Sequence, residues 1–232
     1  MLSVIIPTYN EQGVIGQTVR QITAYDRECL VREIIVVDGG STDDTTTEAQ
    51  VAGAIVIHAP KKGRACQMNE GARRASSNIL YFLHADSIPP VNFSGYISSA
   101  VEAGSLAGCF RLRFDADHWF LRANAWFTRF DVDAFRFGDQ SLFVTKDVFA
   151  TVGGFREDHI VMEDQEIIRR VKRHGFFKIM PQEIITSARK YLVNGVYRMQ
   201  SIFFLIFFMY RLGYSQQTLV ATYRKLIVQD KV

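Results

Sequence analysis

"ILYFLHADSIPP", Ile79–Pro90, is the stretch on which the reading of this chain turns. An apolar run climbs to Leu83, stops at His84-Ala85-Asp86, and is closed by Pro89 and Pro90. Four to eight apolar residues between turn signals read as a buried strand. A His and an Asp at the end of such a strand are costly to bury without partners. They therefore either cap the next element or face a ligand.

Upstream the same rhythm repeats. "LSVIIP" is a short apolar run before a helix-length polar segment from Glu11. "REIIVVD" precedes "GGSTDDTTTEAQVAG", and "AIVIHA" precedes "KKGRACQMNEGARRASS". Apolar runs alternating with helix-length segments predict βαβ units and a mostly parallel sheet. Runs apolar at nearly every position predict strands covered on both faces. Beyond Asp86, "LAGCFRLRFDA" and "SLFVTK" read as strands, and "MEDQEIIRRVKRHG" as a helix stopped by Gly175. From about Val196 the chain reads as helical and strongly apolar. The expected fold is α/β, a Rossmann-like, mostly parallel mixed sheet flanked by helices. Residues 1–190 form its main domain, and 191–232 a helical extension packed on it.

Composition narrows the function classes. The 232 residues are 48% hydrophobic and 12% aromatic, which is globular and not disordered. A net charge of +3 carries no nucleic-acid footprint. Cys29, Cys66 and Cys109 have no paired spacing, which favours a reducing, cytoplasmic setting and disfavours structural zinc. "MLSVIIPTYNE" reaches polar residues too soon for a signal-peptide core. "SIFFLIFFMYRLGY" is the most apolar stretch, yet shorter than the roughly 20 residues a spanning helix needs. It is expected to pack on the domain, form a homodimer surface or lie at a membrane interface.

In open α/β sheets, ligands bind beyond the carboxyl ends of the strands. Here those ends carry Pro7-Thr8-Tyr9-Asn10-Glu11, Asp38-Gly39-Gly40-Ser41, Lys61-Lys62-Gly63-Arg64 and His84-Ala85-Asp86. Each Asp taken singly also suits a cap. Together they resemble parts of one ligand site. A strand-end carboxylate accepts from ribose or base donors, and Gly39 and Gly40 admit close backbone approach. Lys62, Gly63 and Arg64 set cations and amides near phosphate. Asp86 suits a divalent ion bridging a diphosphate, because magnesium-like ions take one or two carboxylates plus phosphate oxygens.

"SVIIPTYNE", "EIIVVDGGSTDDT", "KGRACQMNEGA", "FLHADS", "VGGF" and "MEDQEIIRRV", in this order over residues 2 to 175, resemble a family 2 glycosyltransferase with the GT-A fold. "TSARKYLVNGVYRM" is similar to a subgroup linked by name to arsenosugar biosynthesis. The resemblance implies inverting transfer of a sugar, a hexose by expectation, from a nucleoside diphosphate sugar to a small-molecule or lipid-linked acceptor. It implies a Mn2+ or Mg2+ cofactor. By position it assigns Pro7, Thr8, Tyr9, Glu11, Asp38, Gly39, Ser41, Lys62, Gly63, Arg64, Asn69 and Ala85 to the nucleotide. Asp86 matches the last Asp of the DXD metal motif, and His84 departs from that motif at its first position.

Inverting transfer needs a base for the acceptor proton. The family's base is the Asp of an acid pair at a helix start, which implies Asp164, with Glu163 beside it. Two acids there also suit a helix N-terminus without catalysis. Asp158 also follows a Glu but has no helix to open. The resemblance places Gly138, Asp139 and Gln140 under the acceptor, although "FGDQSLFV" also reads as a turn before a strand. Arg189 and Lys190 are expected either to close over the diphosphate from a mobile loop or to form a solvated basic turn. The Gln-x-x-Arg-Trp signature of processive synthases is missing, which implies single additions. The alternatives are a nucleotidyltransferase acting on a sugar phosphate and a non-catalytic membrane-associated partner protein. The first would need a Gly-rich, basic opening loop where "PTYNEQG" stands.

Overall fold

The computed structural model describes residues 1–136 and 138–228. It begins with β1 (Leu2–Thr8), α1 (Ile15–Tyr25), β2 (Val31–Asp38), α2 (Thr45–Val51), β3 (Ile55–His58), α3 (Arg64–Arg74) and β4 (Ile79–Phe82). It continues with β5 (Ser87–Ile88), α4 (Phe93–Glu102), β6 (Ala107–Phe114), α5 (Trp119–Phe127), β7 (Leu142–Thr145), α6 (Lys146–Thr151) and α7 (Glu163–Lys172). Last come β8 (Phe177–Thr186), α8 (Arg189–Asn194), α9 (Val196–Arg211) and α10 (Gln216–Leu226). The sheet order is β3-β2-β1-β4-β7-β6-β8-β5. β3, β2, β1 and β4 pair in parallel, as do β6 and β8; β7 runs antiparallel between β4 and β6. The expected mixed α/β sheet is the one observed.

Side chains alternate across the sheet. Val4, Ile6 and Tyr81 enter a core with Ile15, Val19 and Phe93 on one face. Ile5, Leu80 and Phe82 enter a second core with Met68, Ile167 and Val171 on the other. Both faces are covered, so β1 and β4 are buried throughout. Gly71 lets α3 press onto the sheet, because a Cβ there would lie 3.1 Å from Val37 Cγ2 and nearer still to Ile5.

Two expectations need correction. β3 is not covered on both faces: it is an edge strand, and Ile55 is 51% exposed. The fourth strand stops at Phe82, not at Asp86. Leu83 still donates to the Ile5 carbonyl (3.0 Å), and His84-Ala85-Asp86 then turns toward β5. Thr18 on α1 pins that turn by donating to the Ala85 carbonyl (2.6 Å).

The C-terminal helices close on a third core, made of Met199, Ile202, Ile206, Leu219 and Tyr223 with Leu121 from α5. The expected division after residue 190 falls inside α8, and residues 229–232 lie outside the described residues. α9 buries Ile202 and Ile206 but leaves Phe204, Leu205 and Phe208 exposed. No described helix is long and apolar enough to cross a membrane.

Candidate active site

A cavity of about 270 Å3 lies beyond the strand ends, between the sheet and the C-terminal helices. Pro7, Glu11, Ala85 and Asp86 line one part of it; Arg64, His84, Gly138, Asp139, Glu163 and Asp164 line another; Arg189 and Lys190 also face it. Eleven residues of the expected site, Glu163 and Asp164 among them, therefore share one space, although as many as 183 positions separate them in sequence (7 to 190).

The acid pair opens α7, as the sequence implied. Glu163 is 2% exposed and Asp164 is half-buried. Arg64, from the first turn of α3, reaches both, at 3.0 Å from Glu163 Oε1 and 3.8 Å from Asp164 Oδ2. Burial pushes Glu163 up to about 7, with Asp164 adding to the rise and Arg64 opposing it. The 3.0 Å ion pair would by itself favour the ionised acid, but removal from water is the larger effect. Gly138 makes this packing possible: a Cβ on it would stand 2.6 Å from Asp164 Cγ and 2.9 Å from His84 Nε2.

His84 Nδ1 meets Asp139 Oδ1 at 3.1 Å. Burial opposes charge on both groups, but their hydrogen bond prevails, so His84 is raised and Asp139 lowered. The His at the departing motif position is thus held by Asp139, which favours its protonated form. Asp86 lies two residues on, and its carboxylate has no hydrogen-bond or ion-pair partner among the described residues.

The other expected residues lie outside the cavity lining. Asp38 is 2% exposed and ties its own loop, accepting from the backbone N–H groups of Gly40 (2.9 Å) and Ser41 (3.1 Å), with His58 at 3.3 Å. The Thr8 hydroxyl donates to the Val37 carbonyl (3.3 Å). Lys62 sits over the Tyr9 ring, 5.0 Å from its centre, next to Gly63. Gly39 packs against Gln67, whose buried amide donates to Thr8 (2.7 Å) and Val37 (2.8 Å) and ties β1 to β2. Asn69 belongs to α3 and not to a loop; it holds the Phe155 backbone through two 2.9 Å bonds. Gln140 is buried at the end of a 3₁₀ turn, with Nε2 3.5 Å from the Phe110 carbonyl. Arg189 and Lys190 open α8 and are likewise not on a loop; Arg189 lies 4.0 Å from Glu11. Asp158 is engaged by Arg156 and His159, outside the cavity.

The sequence reading missed the Arg64–Glu163 pair, the His84–Asp139 pair, the Gln67 tie and Gln165. None has a local signal, because each partner lies on a distant segment or in the cavity itself.

A profile of the family described as glycosyl transferase family 2 matches residues 3–158. A glucosyl-3-phosphoglycerate synthase of Mycolicibacterium paratuberculosis is 35% identical over 99 residues, which are 38% of this chain and 29% of that protein. The chain thus spans less than a third of that relative's length. Among solved structures, the mannosyltransferase PcManGT of Pyrobaculum calidifontis, in complex with GDP-Man and Mn2+, superposes with a TM-score of 0.72. Identity there is 16%, over 96% of this chain and 68% of that one. The glucosyl-3-phosphoglycerate synthase of Mycobacterium tuberculosis, in complex with Mg2+ and UDP, superposes with a TM-score of 0.55 at 19% identity, over 81% of this chain and 69% of that one. The fold is GT-A.

Proposed function

The chain belongs to glycosyl transferase family 2, and on that premise we propose that it is an inverting, non-processive transferase moving a sugar from a nucleoside diphosphate sugar to a hydroxyl acceptor. The observation that carries this reading is that one cavity is lined by both Asp86 and Asp164.

The nucleotide lies along the ends of β1 and β2, with Tyr9, Asp38 and Lys62 beside it and Pro7, Glu11 and Ala85 leading into the cavity. Arg189 and Lys190 face the diphosphate. Asp86 fits a divalent ion, Mn2+ or Mg2+: its carboxylate is at the cavity and without a protein partner among the described residues. No cluster of three His, Cys, Asp or Glu able to hold a metal exists among the described residues. Such a donor set suits a cation that takes most of its ligands from phosphate and water. When bound, the cation supplies positive charge against the leaving diphosphate.

Asp164 takes the acceptor proton. The acceptor oxygen forms its bond to the anomeric carbon from the face opposite the diphosphate, and the bond to the diphosphate oxygen breaks with its electron pair. Arg64 and Glu163 position Asp164, and Gly138 leaves the space it occupies. Asp139 holds the His84 ring on the same side.

Isothermal titration with UDP and GDP, with and without Mn2+ or Mg2+, tests the donor half. One nucleotide is expected to bind in a divalent-dependent way. Asp86→Ala should lose that dependence while keeping a native circular dichroism spectrum. Unchanged, metal-dependent binding in the variant would remove Asp86 from the donor site.

A further inference from the structure

Much of the cavity lining is apolar. Leu112 and Phe114 of β6, Phe203 and Ile206 of α9, and Tyr223 of α10 line it, beside Asn124 and Gln200, which bond to each other at 2.7 Å. Phe127, Ile160 and Phe204 also line it and are 41%, 47% and 41% exposed, so they mark where it opens to the surface. A diphosphate and a sugar gain little from such a wall, whereas an apolar surface gains roughly 25 cal/mol per Å2 removed from water.

One polar group inside this lining is unexplained by the fold. Gln165 follows Asp164 on α7, faces the same cavity and is 2% exposed. Neither its Oε1 nor its Nε2 has a hydrogen-bond partner among the described residues. A buried amide without partners is destabilising, and native folds rarely keep one without a use. Its free donors and acceptor lie one residue from the proposed base.

We infer that the apolar half of the cavity takes the acceptor, and that the acceptor is an alcohol on a hydrophobic body whose polar group bonds to Gln165 while its hydroxyl faces Asp164. The inference rests on the transferase reading above. The volume of about 270 Å3, shared with the donor sugar, encloses only a ring-sized part of the body. Anything longer leaves past Phe127 and Phe204. Exposed Trp126 and Phe130 near the end of α5, and exposed Leu205 and Phe208 on α9, continue the apolar surface along those two helices.

The test uses 2-naphthol, a fluorescent aromatic alcohol, with naphthalene and glycerol as controls and UDP and GDP titrated in parallel. Saturable 2-naphthol binding that glycerol does not displace is expected. Gln165→Leu should weaken 2-naphthol roughly 3- to 10-fold, the worth of one hydrogen bond. It should leave naphthalene and nucleotide affinity unchanged and raise the thermal midpoint, because a partnerless buried amide is gone. No saturable 2-naphthol binding, equal weakening of both aromatics, or a lowered midpoint would each overturn the inference. Intact 2-naphthol binding with no nucleotide binding would sink the transferase reading, and the acceptor assignment with it. Flotation with phosphatidylglycerol vesicles distinguishes the sources. Co-flotation lost in Phe204→Ser identifies a membrane lipid alcohol, and no flotation of the unaltered protein identifies a free one.

Discussion

Replacing Gly138 by alanine separates the placement of Asp164 from the integrity of the fold. The φ of Gly138 lies outside the left-handed region, so its backbone accepts alanine. The new Cβ would stand 2.6 Å from Asp164 Cγ and closer to Oδ2, with His84 Nε2 at 2.9 Å. Carbon contacts settle at about 3.5–4.0 Å, so the Asp164 carboxylate must retreat by roughly 1 Å. It is the end of a side chain 16% exposed, and can swing without repacking a core. A displacement of about 1 Å in a catalytic group costs about 10²-fold in rate, or about 2.7 kcal/mol of barrier. The assay is sugar transfer, or donor turnover across a panel of UDP- and GDP-sugars, beside nucleotide titration and thermal unfolding. The expected pattern is a hundredfold loss of turnover, nucleotide affinity within about twofold of the unaltered protein, and a native spectrum. Turnover at the original rate in a folded Gly138→Ala protein would refute the assignment of Asp164 as a placed base. A matching loss of nucleotide affinity would show that Gly138 serves the donor instead.

Asp164→Asn keeps the size but cannot take a proton, so transfer should fall roughly 10²–10⁴-fold with nucleotide affinity retained; parallel loss of both in titration and turnover assays would point to a structural acid. Gly71→Ala drives a Cβ against Ile5 and Val37, and overpacking of this kind should lower stability by about 1–3 kcal/mol in denaturant titration. Glu163 holds its proton in the fold up to about pH 7, against an ordinary value of 4.5. Between those values the unfolded chain has released a proton that the folded chain keeps, so this residue's contribution to stability is full at low pH and declines as pH rises through the window. Thermal melts should show that decline shrinking in Glu163→Gln, and an unchanged pH profile would remove Glu163 as its source.

The sheet was legible because burial on both faces leaves a local mark. "LSVIIP", the "IIVV" of "REIIVVD", and "ILYF" are apolar at nearly every position, and they lie in β1, β2 and β4. β3 carries a similar run but sits at the edge, which no local pattern announces. The start of α7 at Glu163 was readable from its acids and its 3.6-residue period. The contacts within the site were not. Arg64 and Glu163 lie 99 positions apart, and His84 and Asp139 lie 55 apart. Their meeting depends on β7 entering between β4 and β6, which composition and periodicity do not specify. Gln165 carried no signal, because a Gln in a helix looks the same whether it faces water or a cavity.

The third core has an evolutionary consequence. Ile202, Ile206, Leu219 and Tyr223 pack among themselves and against α5, apart from the two cores that grip the central strands. Two of them, Ile206 and Tyr223, also face the cavity. Substitutions there reshape that wall of the cavity without touching Val4, Ile5 or Leu80, and so without disturbing the strand ends that line the opposite part. Selection can therefore retool one wall of the cavity while the other stays constant. The same partition lets an engineer build a library in α9 and α10 and screen it with the strand ends unchanged.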